Sequence, residues 1–413
     1  MKRAVVIYML IGLLSLISCS GPGDKSEKDT ITPTLPGEST QVKTEIKEGI
    51  PHIYNSTVPL KGVVKLELEK VCEIDSSTLN QGEPVSFNIA VRSPLGRIYL
   101  CDNRAFKIYI FDETGKLLNR FLKQGEGPGE FRQWYEYSIQ QLDNDVWVPG
   151  SLKVARFTPD GKFLEEVKFT SPYHQLEVVA DDRFIVNYYI FPANQANANT
   201  QRKDACSLID RNETILTKFS EEIDAGGSLI RGKLPDGSYF NVNFSLDVIS
   251  PTLLHCVSLD RQRVYINLSS DYKITVKNLQ GESLRVIHRD YQYILLTDQD
   301  RKEIIEDIFF RQPPHVKKLI QENLPTRFCA VMKLISLPGG YLAVLRPTGI
   351  QRLNIDIFDG EGRYLYQLEL PQDIGKRVGI AGDIISAVYF VEDRDIYRAY
   401  RIKNLPGIFK SHP

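Results

Sequence analysis

Histidine is scarce in this chain, and its spacing argues against the commonest metal chemistries. The six are His52, His174, His255, His288, His315 and His412. No His-x-His or His-Glu-x-x-His run sets two on one face. Only His174 and His255 fall near strands that can share an interior, and two imidazoles are too few for a zinc site. The nucleophile-elbow pattern Gly-x-Ser-x-Gly is absent as well. Binding chemistry has more to draw on. Tyr188, Tyr189 and Phe191 stand close together, as do Trp134, Tyr135 and Tyr137. Flat, amphipathic rings in such groups can stack on a sugar or a peptide. Arg132 and Arg346 are the nearest charged contacts for such a ligand.

These side chains need a scaffold, and the chain repeats one. Five runs share an apolar strand, a tight polar turn and a second apolar strand. They are Phe111–Lys116, Phe157–Lys162, Ile209–Glu213, Leu279–Glu282 and Phe358–Arg363. Each follows further strand-like segments, with turn residues such as Asp143-Asn144, Asp181-Asp182 and Leu337–Gly340 between them. Four antiparallel strands per unit, in series, predict an all-β propeller. The last unit, Val378–Ile402, has room for three strands. Val64–Leu68 alternates without a local partner, so it is expected to supply the missing outer strand and close the ring. The count is six blades. Gly227–Ile249 also alternates and is read as an inserted hairpin, the alternative being a seventh blade.

Residues 289–327, between blades 4 and 5, break the pattern. Thr297 with Asp300 forms a capping box, and Ile304, Ile305, Ile308 and Phe309 make an apolar stripe at helical spacing. Pro313-Pro314 ends it, and Val316, Leu319 and Ile320 suggest a second short helix. These stripes are expected to pack on the propeller, the alternative being a lid or docking element.

After blade 1 comes Gln124-Gly-Glu-Gly-Pro-Gly-Glu-Phe131. This run resembles the blade junctions of six-bladed, NHL-like β-propeller lipoproteins of bacteria, a likeness covering about 63–403. It implies the fold and says little about a ligand. Its glycines and Pro128 read as turn-formers rather than a phosphate cradle, since a strand, not a helix, follows. Some propellers of this general kind are enzymes with calcium or zinc in the channel. A metal-dependent hydrolase or lyase is therefore the alternative to a pure binding role, for which no cofactor is expected.

At the N-terminus, Lys2 and Arg3 precede an apolar stretch to Ile17, then Leu16-Ile17-Ser18-Cys19. The stretch is short for a membrane span and reads as a signal peptide over 1–18. Its end resembles the bacterial lipobox, which implies acylation of Cys19 and a lipid anchor in the cell envelope, at the outer membrane or cell surface rather than the inner membrane. Residues 19–59 are poor in large apolar groups and predict a flexible tether; 60–405 form the propeller and 406–413 a tail. The remaining cysteines, 72, 101, 206, 256 and 329, show no Cys-x-x-Cys spacing and read as buried thiols. A net charge of −1 offers no basic excess for nucleic acid.

Loops on the two faces differ. Turns joining strands 1 to 2 and 3 to 4 are two to five residues throughout. Loops between blades, and between strands 2 and 3, include the long segments 124–132, 191–204, 220–238 and 289–327. Long loops gathered on one face mark that face as the one that binds a peptide, glycan or protein partner.

Overall fold

The computed structural model describes residues 42–79, 85–87, 89–93, 96–132, 139–150, 152–191, 203–223, 229–233, 239–243, 248–307, 309, 312–350, 352–371, 374, 378–391 and 394–405. Cys19, the lipobox, Trp134, Tyr135 and the tail lie outside them. The protein is a six-bladed β-propeller. Blade 1 comprises Ile89–Arg92, Ile98–Asp102, Lys107–Phe111 and Leu117–Phe121; blade 2, Gln140–Leu142, Asp145–Pro149, Lys153–Phe157 and Phe163–Lys168. Blade 3 comprises Gln175–Ala180, Arg183–Ile190, Lys203–Asp210 and Ile215–Ile223. Blade 4 comprises Leu253–Val257, Arg263–Leu268, Lys273–Asn278 and Ser283–Arg289. Blade 5 comprises Lys333–Ser336, Leu342–Gly349, Arg352–Phe358 and Tyr364–Glu369. Blade 6 comprises Val378–Ala381, Ile384–Val391 and Arg394–Ile402, completed by Leu68–Asp75.

The core lies in wedges between neighbouring blades. Phe121 and Phe157 meet between blades 1 and 2, Trp147 and Phe184 between 2 and 3, Tyr364 and Phe358 beside Tyr272 between 4 and 5. The five hairpin turns are one structure repeated. In each, the first turn residue donates its N–H to the carbonyl four residues on, and the fourth donates back to the first. Asp112, Asp210, Asn278 and Asp359 also cap the turn with Oδ1. The fourth position is left-handed, which favours glycine. Glycine is required a second time by closeness: a Cβ on Gly161 would sit 2.6 Å from Phe121, and one on Gly362 2.7 Å from Ile287, each on the preceding blade. Blade 3 departs from the rule with Glu213 at φ 61°. Its carboxylate accepts from Ser171 N (3.0 Å), Thr170 N (2.7 Å) and the Tyr173 hydroxyl (2.9 Å), offsetting the backbone strain.

The N-terminal segment differs from expectation in two ways. Ring closure is by an N-terminal strand, but Leu68–Asp75 provides it; the run at Val64 instead gives Val63–Lys65, a fifth strand parallel to the outer strand of blade 5. Both runs alternate, so pattern alone does not choose between them. Second, the expected tether is structured over part of its length. Val42–Lys47 and Ile50–Asn55 form a hairpin, and its second strand pairs in parallel with Ser283–Arg289 of blade 4. Glu48 (φ 53°) and Gly49 (φ 79°) make the tight turn that matches strand twist. The Asn55 side chain donates to the carbonyls of His288 (2.9 Å) and Gly362 (3.0 Å) and accepts from Tyr364 N (2.8 Å). One segment thus overlies the rims of blades 4, 5 and 6 in turn.

The insert holds α1 (Asp298–Asp307) and α2 (Pro314–Asn323). Thr297 and Asp300 form the capping box: Thr297 N donates to Asp300 Oδ2 (2.8 Å) and Asp300 N to Thr297 Oγ1 (3.1 Å). Ile304, Ile305, Phe309, Val316 and Ile320 are buried against Val248, Ile249, Phe328 and Ile350. The helices are packed onto the ring. Ile308 lies outside the described residues. Leu229–Lys233 and Tyr239–Asn243 form a separate two-stranded sheet, the inserted hairpin rather than a seventh blade. Cys72, Cys101, Cys206, Cys256 and Cys329 are buried, with no disulfide among the described residues.

Candidate functional site at the central channel

The innermost strands of all six blades surround a cavity of ≈ 380 Å³. Its polar lining comes from Arg92 of blade 1, Gln140 of blade 2, Gln175 and Glu177 of blade 3, His255 of blade 4, and Lys333 and Ser336 of blade 5, with Ser386 behind the blade 6 inner strand. Residues alternate along a strand, so 175 and 177 face the channel while 176 and 178 enter the wedge core.

Blades 2, 3 and 4 are joined here by side chains. Gln140 Nε2 donates to the Leu176 carbonyl (3.2 Å), and its Oε1 accepts from Val178 N (2.6 Å). Asn187 is fully buried; its Nδ2 donates to the Leu253 carbonyl (2.8 Å) and to Gln175 Oε1 (3.2 Å). Its Oδ1 is therefore the atom 2.9 Å from His255 Nδ1, so the proton of the neutral imidazole sits on Nδ1. The Nε2 lone pair is left 3.7 Å from Glu177 Oε2, with no hydrogen-bond partner.

Glu177 and His255 are not an ion pair. Burial pushes the Glu177 carboxyl up to about 8, despite one hydrogen bond from Val257 N (3.1 Å). A quarter of its side-chain surface is accessible, but that surface faces a channel walled by protein. Burial, with the nearby His174 ring, pushes His255 down to about 3. At neutral pH the facing groups are a carboxylic acid and a neutral imidazole.

At the long-loop end of blade 3, the His174 ring stacks on Tyr189 (4.1 Å between centroids, 12°), and Tyr189 meets exposed Phe191 edge-on at 6.4 Å. His174 Nε2 lies 3.3 Å from Asp204 Oδ1 but is misaligned, and both its ring nitrogens lack hydrogen-bond partners. The expected platform is thus split by strand alternation. Tyr189 and Phe191 share one face with His174. Tyr188 points to the other, against Tyr173, with its hydroxyl 3.2 Å from Ser207 Oγ.

The two expected arginine contacts are engaged elsewhere. Arg346 is buried, with Nε 3.2 Å from Asp356 Oδ2 and Nη2 donating to Gln367 Oε1 (3.1 Å). Arg132 is exposed and paired with Glu126. The glycine-rich junction is structural: Gly127 N donates to Glu130 (3.1 Å) and Gly129 N to Glu166 (3.1 Å), so carboxylates already occupy those amides. Asp102 caps its own loop through Arg104 N and Ala105 N (both 3.0 Å). Among the described residues no three of His, Cys, Asp and Glu group as metal ligands.

Arg92, Glu177 and Asn187 escaped the sequence reading. Arg92 ends the inner strand of blade 1, Ile89–Arg92, and lines the channel there. Polar residues alternating in Gln175-Leu-Glu177 were the signal for Glu177.

A family model described as a 6-bladed beta-propeller, DUF5128, matches residues 87–248, which take in blades 1 to 3 and the Glu177 strand. No curated protein matches the chain. Among solved structures, a predicted exported protein from Bacteroides fragilis NCTC 9343 is 13% identical, with 85% of this chain and 99% of that one covered and a TM-score of 0.48. A DUF4221 family member from Bacteroides vulgatus is 10% identical over 83% and 99%, TM-score 0.44. A protein of unknown function from Bacteroides caccae is 14% identical over 75% and 92%, TM-score 0.35.

Proposed function

We propose that this protein is a lipid-anchored binding module of the bacterial cell envelope, taking a peptide, glycan or protein partner where the channel meets the long loops of blade 3. The anchor rests on the sequence around Cys19. The binding role rests on one observation above others: the blade 3 edge of the channel keeps polar atoms that the fold does not use. His174 and Asp204 Oδ1, 3.3 Å apart, and His255 Nε2 lack hydrogen-bond partners beside the Tyr189–Phe191 step. Unmet buried polar groups cost stability, so a fold retaining several at one cavity edge suits a ligand that completes them. An aromatic step beside them is suited to a sugar ring or a peptide side chain.

Glycan and peptide arrays probed with the mature protein test this reading. Tyr189→Ala is expected to abolish the signal seen with the native chain. Array binding that survives Tyr189→Ala unchanged moves the site elsewhere. Metabolic labelling with an alkyne fatty acid tests the anchor, with Cys19→Ala expected to lose the label.

A further inference from the structure

The hairpin Val42–Asn55 is held to blade 4 by little apolar burial. Ile53 is its one buried apolar side chain, and Ile46 is 65% exposed. Its backbone pairs with the outer strand of the blade over four residues, His52 to Asn55 against Val286 to Arg289. A pair of half-buried histidines spans that seam. His52 Nδ1 lies 3.0 Å from His288 Nε2, with the rings stacked at 5.2 Å between centroids and 19°. Tyr54 stacks on His288 at 4.5 Å and 7°. A hydrogen bond between two imidazole nitrogens needs one donor and one acceptor, so at least one ring must be neutral. A first proton can be shared across the pair. A second sets two N–H groups and two positive charges face to face.

The surroundings add to that repulsion. Lys273 stands opposite His288 in the blade, and Lys43 stands opposite Tyr54 in the hairpin. Lys47 donates to the Tyr54 hydroxyl. Glu45, opposite His52, is already held by Lys43 (2.5 Å) and Lys47 (3.2 Å). Arg289, next along the strand, turns the other way toward Asp356. Partial burial, then His52, Lys273 and Lys47, hold the His288 ring below the usual imidazole range, against the pull of Asp271. A ring held down while docked takes up its proton on release, so acid favours the released hairpin.

We infer that the His52–His288 pair is an acid-sensitive clasp, and that protonating both rings releases the hairpin from blade 4 while the ring of blades stays folded. Imidazole is the side chain that changes charge between neutral and mildly acid pH. Asn55 limits the release, because its bonds to the His288 and Gly362 carbonyls and to Tyr364 N do not titrate. The freed stretch is 42–54, which lengthens the reach of the chain ahead of Asn55 by up to roughly 45 Å. This device is independent of what the channel binds.

Hydrogen exchange of the full chain between about pH 7 and 4.5, corrected for intrinsic rates, tests the clasp. Protection of residues 50–54 and 283–288 is expected to fall at least about tenfold at the acid end, while Leu253–Val257 and Arg263–Leu268 of the same blade keep theirs. His52→Asn and His288→Gln place an amide near each bonding nitrogen and cannot take up the proton. Either one alone is expected to remove the acid response. Lys273→Gln leaves the pair intact and is expected to move release to lower pH, which serves as the check where a histidine variant loosens the hairpin at both ends of the range. Protection that is unchanged by acid overturns the inference. So does an equal fall across the inner strands, which would be loosening of the whole ring. A response that survives both histidine variants, or a release midpoint indifferent to Lys273→Gln, overturns it as well.

Discussion

Asp356, between blades 4 and 5, has both carboxylate oxygens occupied: Oδ1 by the Tyr364 hydroxyl (3.0 Å), Oδ2 by the Tyr272 hydroxyl (2.6 Å) and Arg346 Nε (3.2 Å), with Arg289 Nη1 at 3.5 Å. Glu177, at the channel edge of blade 3, has one amide donor and a neutral histidine at 3.7 Å. Both clusters are carboxyl sites beside rings, the first fully buried and the second partly so. The first surrounds its carboxylate with donors: Asp356 lies against two arginines, and Arg289 extends the network to the Thr57 carbonyl and the Tyr364 hydroxyl, with its Nε left over. The second sheds its charge, keeping a proton and leaving neighbours unmet. A carboxylate with both oxygens met is a joint that stabilises the ring. An unsaturated one at a cavity is where a ligand has something to gain.

The sharpest way to break this contrast is Asp356→Ala. It strands two buried guanidinium groups, and the expected loss is about 3–5 kcal/mol in denaturant unfolding. A loss below about 1 kcal/mol would show that the joint is not saturated.

The next effect is one of pH. The Glu177 pKa is raised when folded, so the native state holds a proton that the unfolded chain releases above about 4.5, and stability falls as pH rises toward about 8. The His255 pKa is depressed, so the unfolded chain takes up a proton below about 6.5, and stability falls as pH drops toward about 3. Between about 4.5 and 6.5 the folded pair (acid and neutral imidazole) and the unfolded pair (carboxylate and imidazolium) hold the same number of protons. The pair therefore predicts a stability plateau there. From that plateau to pH 9 the melting curve should record a loss of up to about 2 kcal/mol, less where channel water screens the carboxylate. Glu177→Gln should flatten the alkaline side, and an unchanged alkaline slope would sink the assignment.

Asn55→Ala tests the joint at its margin. It leaves the His288 and Gly362 carbonyls and the Tyr364 amide unmet, with an expected cost of roughly 1–3 kcal/mol. Limited proteolysis should then cut first near residues 42–59. Tyr189→Ala carries the smallest expected stability change, about 1 kcal/mol for the lost ring contact, against loss of binding. A large stability loss with binding retained would reverse the roles of the two clusters.

How far the sequence foretold this arrangement follows from what local pattern can carry. The five turns were legible because their chemistry is local: an Asp, Asn or Thr first and, in four of five, a glycine fourth. The capping box at Thr297 was legible for the same reason. The closing strand was placed a few residues early because Val63–Lys65 and Leu68–Asp75 both alternate, and only pairing with Arg394–Ile402 decides between them. The hairpin at 42–55 was hidden by averaging composition over 19–59, although Glu48-Gly49 marks its turn. Arg346 looked like a ligand contact because nothing in the sequence says that Asp356 lies opposite it. Asn187 looked ordinary because its partners, Gln175 and His255, stand 12 and 68 residues away. Tyr188 and Tyr189 were grouped by adjacency, yet neighbours on a strand face opposite ways.

The N-terminal segment has a mechanical consequence. Its pairings are arranged in series along the chain: the hairpin at Val42–Asn55, then Val63–Lys65, then Leu68–Asp75, which closes the ring. Traction applied ahead of Val42 loads the hairpin first. Tension reaches the seam of blade 6 only after the pairings on blades 4 and 5 have yielded. The parts that can fail early are fifth and sixth strands, added outside complete four-stranded blades, so a pull that strips them leaves the channel walls intact.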